Sequence, residues 1–230
     1  MDIRILHLVD GAKKAEGLTV IIDVFRAFTL EAYLFAQNCE KVIAVYDKET
    51  AEQLKRVHPE YILIGERKGR ILPGFDYGNS PSAIWGKDFT GKTIVHTTTN
   101  GTHGMDNALY ADEILTGALV NARAIAKYIR KKNPSMVSLV CMGWEERRTE
   151  EDILCAEYIK SILEDHPIKD IKERAFNLCY TEGKKFFDQT QQDVFPEADF
   201  ELCTKVDCFD FVIRTERKEK IFENHMEKMG

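Results

Sequence analysis

Short, β-branched apolar segments alternate with amphipathic segments from residue 3 to residue 163, and this alternation constrains the fold more than any other feature. The predicted strands span residues 3–8, 18–24, 41–46, 61–65, 93–97, 113–115 and 136–142. A first predicted helix ends near residue 38, and others span residues 47–58, 102–109, 121–132 and 149–163. Strands that alternate with helices usually pair in parallel, with helices on both faces. The sequence therefore predicts a three-layer α/β/α fold around a mostly parallel, possibly mixed, central sheet.

The C-terminal part of the chain has a less regular pattern. It predicts a helix over residues 168–187, an edge strand over residues 208–214 and a charged terminal helix over residues 216–228. Asp47 and Thr149 are predicted N-caps of the helices that follow them. Because no linker, repeat or low-complexity segment interrupts the chain, we expect residues 1–230 to form a single domain.

The charge and the cysteines of the chain indicate which kinds of partner and which cellular compartment to expect. The net charge is −6 and the basic residues are scattered, which argues against a nucleic-acid partner. No apolar run approaches membrane length, and MDIRILHLVDG is too short and charged for a signal peptide. The six cysteines include no CxxC pair, and most lie in apolar segments, so free buried thiols are expected. These features predict a cytoplasmic protein with a small-molecule ligand and no membrane partner; a homo-oligomer stays open.

The segment GERKGRILPGFDYGNSP, residues 65–81, is a long polar stretch between two predicted strands. A polar excursion of this length inside a compact domain is usually functional or disordered. Ile71, Leu72, Phe75 and Tyr77 are spread through it, which favours a loop packed onto the rest of the protein. The sequence therefore predicts an ordered, functional loop.

Polar residues gather just beyond the predicted strands. In an open α/β sheet, ligands bind beyond the carboxyl ends of the strands. If the sheet is parallel, these groups converge on one edge. They are Asp23, Arg26, Glu66, Arg67, Arg70, Thr97, Thr98, Thr99, Asn100, Gly101, Thr102, Asn121, Glu145, Glu146, Glu151 and Asp152.

The chemistry of these groups is complementary. Asp23, Glu66 and Asp152 offer the oxygen ligands that Mg²⁺ prefers, typically one or two carboxylates with several waters. The arginines offer planar groups that match phosphate or sulfonate oxygens. The TTTNGT segment adds hydroxyls and a turn whose backbone N–H groups could face an anion. Acids for a metal beside arginines for an anion indicate phosphoryl-group chemistry.

Each residue also has a purely structural interpretation. Asp23 could be only an N-cap, and Glu151 and Asp152 favour a helix dipole wherever they occur. His96 and His103 lack the spacing of a ligand pair on one helix and are interpreted as structural. The functional interpretation depends on the convergence of these residues.

Residues 86–93, GKDFTGKT, match the nucleotide-binding pattern GxxxxGK[ST]. That mechanism needs a strand before the motif and a helix after it. Here the preceding PSAIW is a poor strand, and the following TIVHTTT is a β-branched strand. An ATP-dependent enzyme is therefore a minor alternative.

Five segments of the chain resemble the 2-phosphosulfolactate phosphatase family, in the order seen there. They are DVFRAFT (residues 23–29), GERKGRILPGFDYGNSP (65–81), TTTNGT (97–102), LVNA (119–122) and EEDILCAEYI (150–159). The resemblance covers residues from about 20 to 210 and is weak in the C-terminal quarter. It implies an α/β three-layer fold and Mg²⁺-dependent hydrolysis of (2R)-2-phospho-3-sulfolactate to 3-sulfolactate and phosphate, a step of coenzyme M biosynthesis. Family membership does not determine the substrate, so a related small acidic phosphomonoester is an alternative.

The leading hypothesis is thus a Mg²⁺-dependent phosphatase in which Asp23, Glu66 and Asp152 are the catalytic and metal-binding acids. Asp23 is a metal ligand or base rather than a nucleophile, because Phe25 stands where aspartyl-phosphate enzymes have a second Asp. The predicted substrate-binding residues are Arg26 and Arg67 for phosphate, Arg70 or Lys68 for sulfonate, and Asn79, Ser80, Thr98, Thr99, Asn100, Gly101, Thr102 and Asn121. The alternative is a non-catalytic binding protein for an anionic metabolite, which would need the arginines but not the acids.

Overall fold

A computed structural model describes residues 1–219 and 221–229. Its strands are β1 (Asp2–His7), β2 (Glu16–Ile22), β3 (Lys41–Ala44), β4 (Ile62–Arg67), β5 (Arg70–Ile71), β6 (Thr93–Thr97), β7 (Tyr110–Gly117), β8 (Met136–Cys141), β9 (Phe211–Lys218) and β10 (Ile221–Lys228). Its α-helices are α1 (Leu8–Ala12), α2 (Ala27–Ala36), α3 (Lys48–Val57), α4 (Pro81–Ile84), α5 (Gly101–Asn107), α6 (Ala122–Lys132), α7 (Glu150–Leu163), α8 (Ile171–Asn177) and α9 (Glu197–Cys203). Short 3₁₀ helices span Leu119–Asn121, Leu178–Tyr180 and Glu182–Phe187.

The strands form one mixed sheet flanked by helices, which confirms the predicted α/β/α class. The strand order is β1-β8-β2-β7-β9-β10-β3-β6-β4-β5. The pairs from β1 to β7 are parallel, as are those among β3, β6 and β4. The hairpin of β9 and β10 lies between these two groups and pairs antiparallel with both. The two parallel groups therefore run in opposite directions.

The predicted terminal helix over residues 216–228 is wrong, because the described part of that segment is the end of β9 and all of β10. The predicted strand over residues 208–214 is present as β9, which begins at Phe211, but its predicted edge position is wrong, since β9 lies between β7 and β10 inside the sheet. Phe222 and Asn224 of β10 are buried on one face, while their neighbours along the strand are more exposed. Long-range pairing with both parallel groups overrides the local helical preference of this charged segment.

Other boundaries differ less. The predicted helix over residues 168–187 is α8 followed by two 3₁₀ helices, and a short helix, α1, begins in place of the end of the first predicted strand. The loop at 65–81 is ordered and holds the end of β4, the short strand β5 and the start of α4. Residues 86–93 are followed by strand β6, not by a helix, so the geometry of a nucleotide-binding P-loop is not formed there.

Helix α2 is buried on nearly every side. Its Glu31 carries a buried carboxylate that contacts His96 of β6 at 2.8 Å and accepts a hydrogen bond from Asn224 of β10. His96 also lies 2.6 Å from Asn79 Oδ1, in the 65–81 loop. This polar network satisfies groups that would be costly to bury alone and joins α2 to the loop. His96 has the structural surroundings that its spacing suggested.

Ends of strands from the two opposed groups meet in this fold, although the groups do not share one direction. Helix α5, which follows β6, packs against β2, where a Cβ on Gly104 would lie 2.7 Å from Ile21 Cγ2. The expected convergence therefore does not depend on a single shared direction of the strands.

Two further findings concern the helices and the cysteines. Within the described ranges, no helix combines the length and apolar character needed to cross a membrane. All six cysteines are free thiols, of which Cys39, Cys141, Cys155 and Cys203 are buried. Burial raises the pKa of these buried thiols, so they are unreactive core residues.

Candidate active site

A small cavity of about 30 Å³ lies where the ends of β2, β4 and β6 meet the C-terminal segment. Acidic, polar, cationic and aromatic side chains all line it. The lining residues are Asp23, Phe25, Arg26, Glu66, Gly69, Asn79, Thr99, Asn100, Trp144, Lys185 and Phe195.

Asp23 follows β2 directly and is buried at the cavity wall. Its Oδ1 accepts a hydrogen bond from the Ala27 N–H at 3.2 Å, at the start of α2. Its Oδ2 has no hydrogen-bond partner among the residues that the structure describes. Burial, with the nearby charge of Glu66, raises the pKa of Asp23 to about 6. Arg26, and not Asp23, holds the N-cap position of α2, so the Asp23 carboxylate stabilises the first turn from outside the helix and keeps one oxygen free for a cation.

Glu66 reaches the same cavity from the end of β4. Its Oε1 accepts hydrogen bonds from the N–H and the hydroxyl of Thr99, at 3.0 and 2.8 Å. Its Oε2 accepts a hydrogen bond from the Gly69 N–H at 2.7 Å. Gly69 has a φ of +79°, and a Cβ there would lie 2.7 Å from Phe195, so this position needs glycine. Three donors hold the Glu66 carboxylate in one orientation.

Asp152 lies in the first turn of α7, behind Asp23. Its Oδ1 accepts the Val24 N–H and its Oδ2 accepts the Gly143 N–H, both at 2.8 Å. It thereby joins the loop after β2 to the loop after β8. Burial raises the pKa of Asp152, and the charges of Glu151 and Asp23 raise it further, against the effect of these two donors. Asp152 lies near enough to Asp23 for their charges to interact, but it does not line the cavity, and both of its oxygens accept hydrogen bonds from backbone N–H groups.

The raised acid pKa values predict how the metal-free protein depends on pH. An acid whose folded pKa exceeds its unfolded value contributes stability at low pH, and that stability is lost as pH rises through the folded value. For Asp23, a rise from 3.8 to about 6 corresponds to a loss on the order of 3 kcal/mol. In EDTA, we therefore expect Asp23→Asn to be more stable than the wild type at pH 7.5. This gain in the free energy of unfolding should be smaller at pH 4.5. Urea titrations at both pH values measure this difference, and a constant difference would contradict the raised pKa.

Arg26 is held by the C-terminal segment. Its Nη1 donates to Asp199 Oδ2 at 2.8 Å and to the Val194 carbonyl at 2.7 Å, and its Nη2 donates to the Gly69 carbonyl at 3.2 Å. Its guanidinium lies 4.9 Å from the centre of the Phe195 ring. Both side chains of the ion pair are almost fully buried. Three of the guanidinium's hydrogen bonds are therefore internal, which leaves little of it for a substrate.

Sequence reasoning missed Asp199. Its Oδ1 accepts hydrogen bonds from the Ser80 hydroxyl at 2.8 Å and from the N–H and hydroxyl of Ser82 at 2.9 and 2.7 Å. One buried carboxylate thus organises the end of the 65–81 loop and Arg26 together. Its position in α9, within the weakly patterned C-terminal part, carries no local signal of this role.

Sequence reasoning also missed Lys185, which enters the cavity from the 3₁₀ helix Glu182–Phe187. Its Nζ lies 4.3 Å from the centre of the Trp144 ring, and 5.4, 5.6 and 5.7 Å from those of Phe195, Phe186 and Phe25. Burial lowers the pKa of Lys185, although the charge of Glu151 opposes this. The only sequence signal was a lysine among aromatic residues, in GKKFF.

Several predicted binding residues lie elsewhere. Arg67 donates to the Glu66 and Tyr46 carbonyls and to the Thr97 hydroxyl, in a neighbouring groove. Arg70 pairs with Asp193 on the surface, and Lys68 is exposed. Four other predicted residues have mainly structural contacts. Ser80 donates to Asp199, and Thr102 is buried. Thr98 accepts a hydrogen bond from the Gly101 N–H, and Asn121 accepts one from the Ala118 N–H. Asn79, Thr99 and Asn100 do line the cavity.

The donor set fits a hard divalent cation in part. Asp23 and Glu66 both line the cavity with carboxylates, and Mg²⁺ is commonly bound through one or two carboxylates and several waters. Within the described ranges, the tightest group of three possible ligands is elsewhere: Glu216, Glu223 and His225 on the β9–β10 hairpin. That group is partly exposed, and Lys41 and Lys218 form ion pairs with its acids, so it is a weaker candidate for a metal site than Asp23 and Glu66.

Comparison with known proteins gives a consistent result. The family model described as "2-phosphosulpholactate phosphatase" matches residues 4–218. A relative from Bacillus subtilis, named "Probable 2-phosphosulfolactate phosphatase", is 31% identical over 207 residues, which cover 89% of each chain. Relatives of the same printed name from Caldicellulosiruptor saccharolyticus and Carboxydothermus hydrogenoformans are 34% and 33% identical. They cover 86% and 92% of this chain, and 88% and 92% of their own lengths.

Proposed function

This chain belongs to the 2-phosphosulfolactate phosphatase family, and on that premise we propose that it is a Mg²⁺-dependent phosphatase. Its substrate is (2R)-2-phospho-3-sulfolactate or a related small acidic phosphomonoester, which it hydrolyses to the hydroxy acid and phosphate. The observation that carries the proposal is the meeting of Asp23 and Glu66 in one cavity, which Arg26 and Lys185 also line. For the sulfonated substrate, the reaction is a step of coenzyme M biosynthesis, and the free thiols support a cytoplasmic location.

Asp23 and Glu66 would hold the metal. When bound, Mg²⁺ neutralises charge that develops on the phosphoryl oxygens and orients the reacting groups. Asp23 would hold it with Oδ2, since its Oδ1 accepts the Ala27 N–H. Glu66 would hold it from an orientation that hydrogen bonds from Thr99 and Gly69 already maintain. Neither acid needs to change its backbone contacts to bind a cation.

Asp152 has a different part in this proposal from the one predicted. Because each of its oxygens accepts a backbone N–H, it positions the loops that carry Asp23 and Trp144. Asn100, at the start of α5, also binds the loop after β8, since its Nδ2 donates to the Gly143 carbonyl at 2.8 Å. Preorganised donors and charges lower the cost of reorganisation during the reaction. Asp152 is thus a positioning residue, and Asp23 and Glu66 are the catalytic acids.

Metal dependence gives the direct test. Purified protein in MgCl₂ is expected to hydrolyse phosphosulfolactate and p-nitrophenyl phosphate, and excess EDTA should lower the rate by about 100-fold or more. The reason is that a bound metal contributes several kcal/mol of charge stabilisation. Released phosphate is measured, and added Mg²⁺ should restore the rate. Hydrolysis that continues at its full rate in EDTA would contradict the proposal.

A binding protein without activity is distinguished by Glu66→Gln. The amide keeps the size of the side chain and can still accept hydrogen bonds at one oxygen, but it removes the charge. In the phosphatase, this change removes one of the two proposed metal ligands and the rate falls. A binding protein would instead retain its affinity for the anion.

A further inference from the structure

Both acidic and cationic side chains line the cavity described above. Asp23 and Glu66 line it with Thr99 and Asn100, and Lys185 lines it with Phe25, Trp144 and Phe195. Lys185 lies near enough to Asp23 for their charges to interact. A cation held by the two acids would take up the phosphoryl oxygens, which would leave Lys185 for another group of the substrate.

Of the two cations in the cavity, Lys185 is the one available to a ligand. The Arg26 guanidinium is already bound to Asp199 and to two backbone carbonyls. Within residues 1–219 and 221–229, the Lys185 ammonium forms neither a hydrogen bond nor a salt bridge. It is half-buried among aromatic rings, which exclude water but cannot accept its three N–H groups as an oxygen would.

We propose that Lys185, in its aromatic surroundings, binds the second acidic group of the substrate, a carboxylate or sulfonate, and so selects phosphate esters that carry one. This inference rests on the proposed function, because it concerns the same cavity. A single ammonium group beside apolar rings suits a compact anion with one negative charge. The ammonium and the anion are shielded from water together, so the attraction between them is stronger than it would be in water. It assigns to Lys185 the recognition that the sequence had suggested for Arg70 or Lys68, both of which lie away from the cavity.

Trp144 provides a readout that does not depend on catalysis. Its ring is the aromatic group nearest to the Lys185 ammonium, at 4.3 Å. The chain has two tryptophans, and the other, Trp85, is half-exposed and packs on Tyr33. In a Trp85→Phe background, the fluorescence of Trp144 therefore reports an anion that binds at Lys185. Calorimetric titration of the same samples gives the affinity independently.

Three probes separate the groups of the substrate: 2-hydroxyethanesulfonate for a sulfonate, lactate for a carboxylate, and methyl phosphate with MgCl₂ for the phosphoryl group. In the Trp85→Phe protein, we expect at least one of the two acids to change Trp144 fluorescence. The acid with the higher affinity identifies the preferred second group. Lys185→Met, which retains the apolar stem, should weaken binding of that acid at least tenfold and leave the affinity for methyl phosphate within about twofold.

Matched variants complete the test. Lys184→Met changes the adjacent exposed lysine and should leave all three affinities unaltered. Lys185→Arg keeps the charge and should retain most of the affinity for the acid, which separates loss of charge from loss of folding. The inference is overturned if neither acid binds, if Lys185→Met binds the acid as tightly as the parent, or if methyl phosphate loses affinity equally. A protein that binds the acid through Lys185 but hydrolyses no ester would contradict the proposed function alone.

Discussion

Replacement of Asp23 by asparagine is expected to lower kcat/KM for phosphate esters by about 10³-fold or more, equivalent to about 4 kcal/mol of transition-state stabilisation. Asparagine keeps the size of the side chain and an oxygen for the Ala27 N–H, so the start of α2 is preserved. What is lost is the negative charge beside Glu66 and the free Oδ2. The rate and the affinity for Mg²⁺ should therefore fall together, while the fold is retained.

Initial rates over a range of Mg²⁺ concentrations, with circular dichroism of each protein, measure these effects. Asp112→Asn is a matched control, because it makes the same chemical change at an exposed position on β7. We expect its kcat/KM to equal that of the wild type. If Asp23→Asn stays within tenfold of the wild type while correctly folded, Asp23 only stabilises the start of α2, and another residue must bind the metal.

Asp199→Ala is expected to lower the free energy of unfolding by about 3–5 kcal/mol. The change leaves the buried Arg26 charge without its partner and removes the acceptor of three hydrogen bonds from Ser80 and Ser82. A lone buried charge is much more costly than a missing ion pair on the surface. Because the same contacts hold the cavity wall, activity should fall as well.

Asp193→Ala is the matched control for this second prediction. Asp193 pairs with Arg70 at 3.2 Å, but both side chains are largely exposed, so its removal should change the free energy of unfolding by no more than about 1 kcal/mol. Urea denaturation of both variants gives the comparison. The double variant Arg26→Met with Asp199→Ala should lose less stability than the sum of the single variants, since no unpaired charge remains. Equal effects of Asp199→Ala and Asp193→Ala would show that the buried pair contributes little.

The local sequence pattern predicted the acidic residues that line the cavity. Asp23 and Glu66 each come at the end of a β-branched apolar strand, and such strand ends carry the ligands of α/β proteins. The family resemblance indicated the same residues. The neighbouring TTTNGT segment likewise provides Thr99 and Asn100, which line the cavity.

The roles of Lys185 and Asp199 could not be predicted in this way. Lys185 and Asp199 lie in segments with short 3₁₀ and α-helical turns, whose local pattern does not show what they pack against. Arg67 and Arg70 had the stronger sequence signal, since they follow Glu66 directly. Yet adjacent residues on a strand point to opposite faces, so Arg67 enters a different groove.

The sequence by itself determined the α/β class, the positions of most strands and the acids at their ends, because these depend on periodicity and residue chemistry over a few neighbours. Tertiary structure alone decided that the β9–β10 hairpin separates two opposed groups of parallel strands, and that Lys185 and Asp199 complete the cavity. Such pairings join residues more than 100 positions apart, as Arg26 and Asp199 show across 173 positions. Their free energy comes from desolvation and long-range packing, which leave no local trace in the chain.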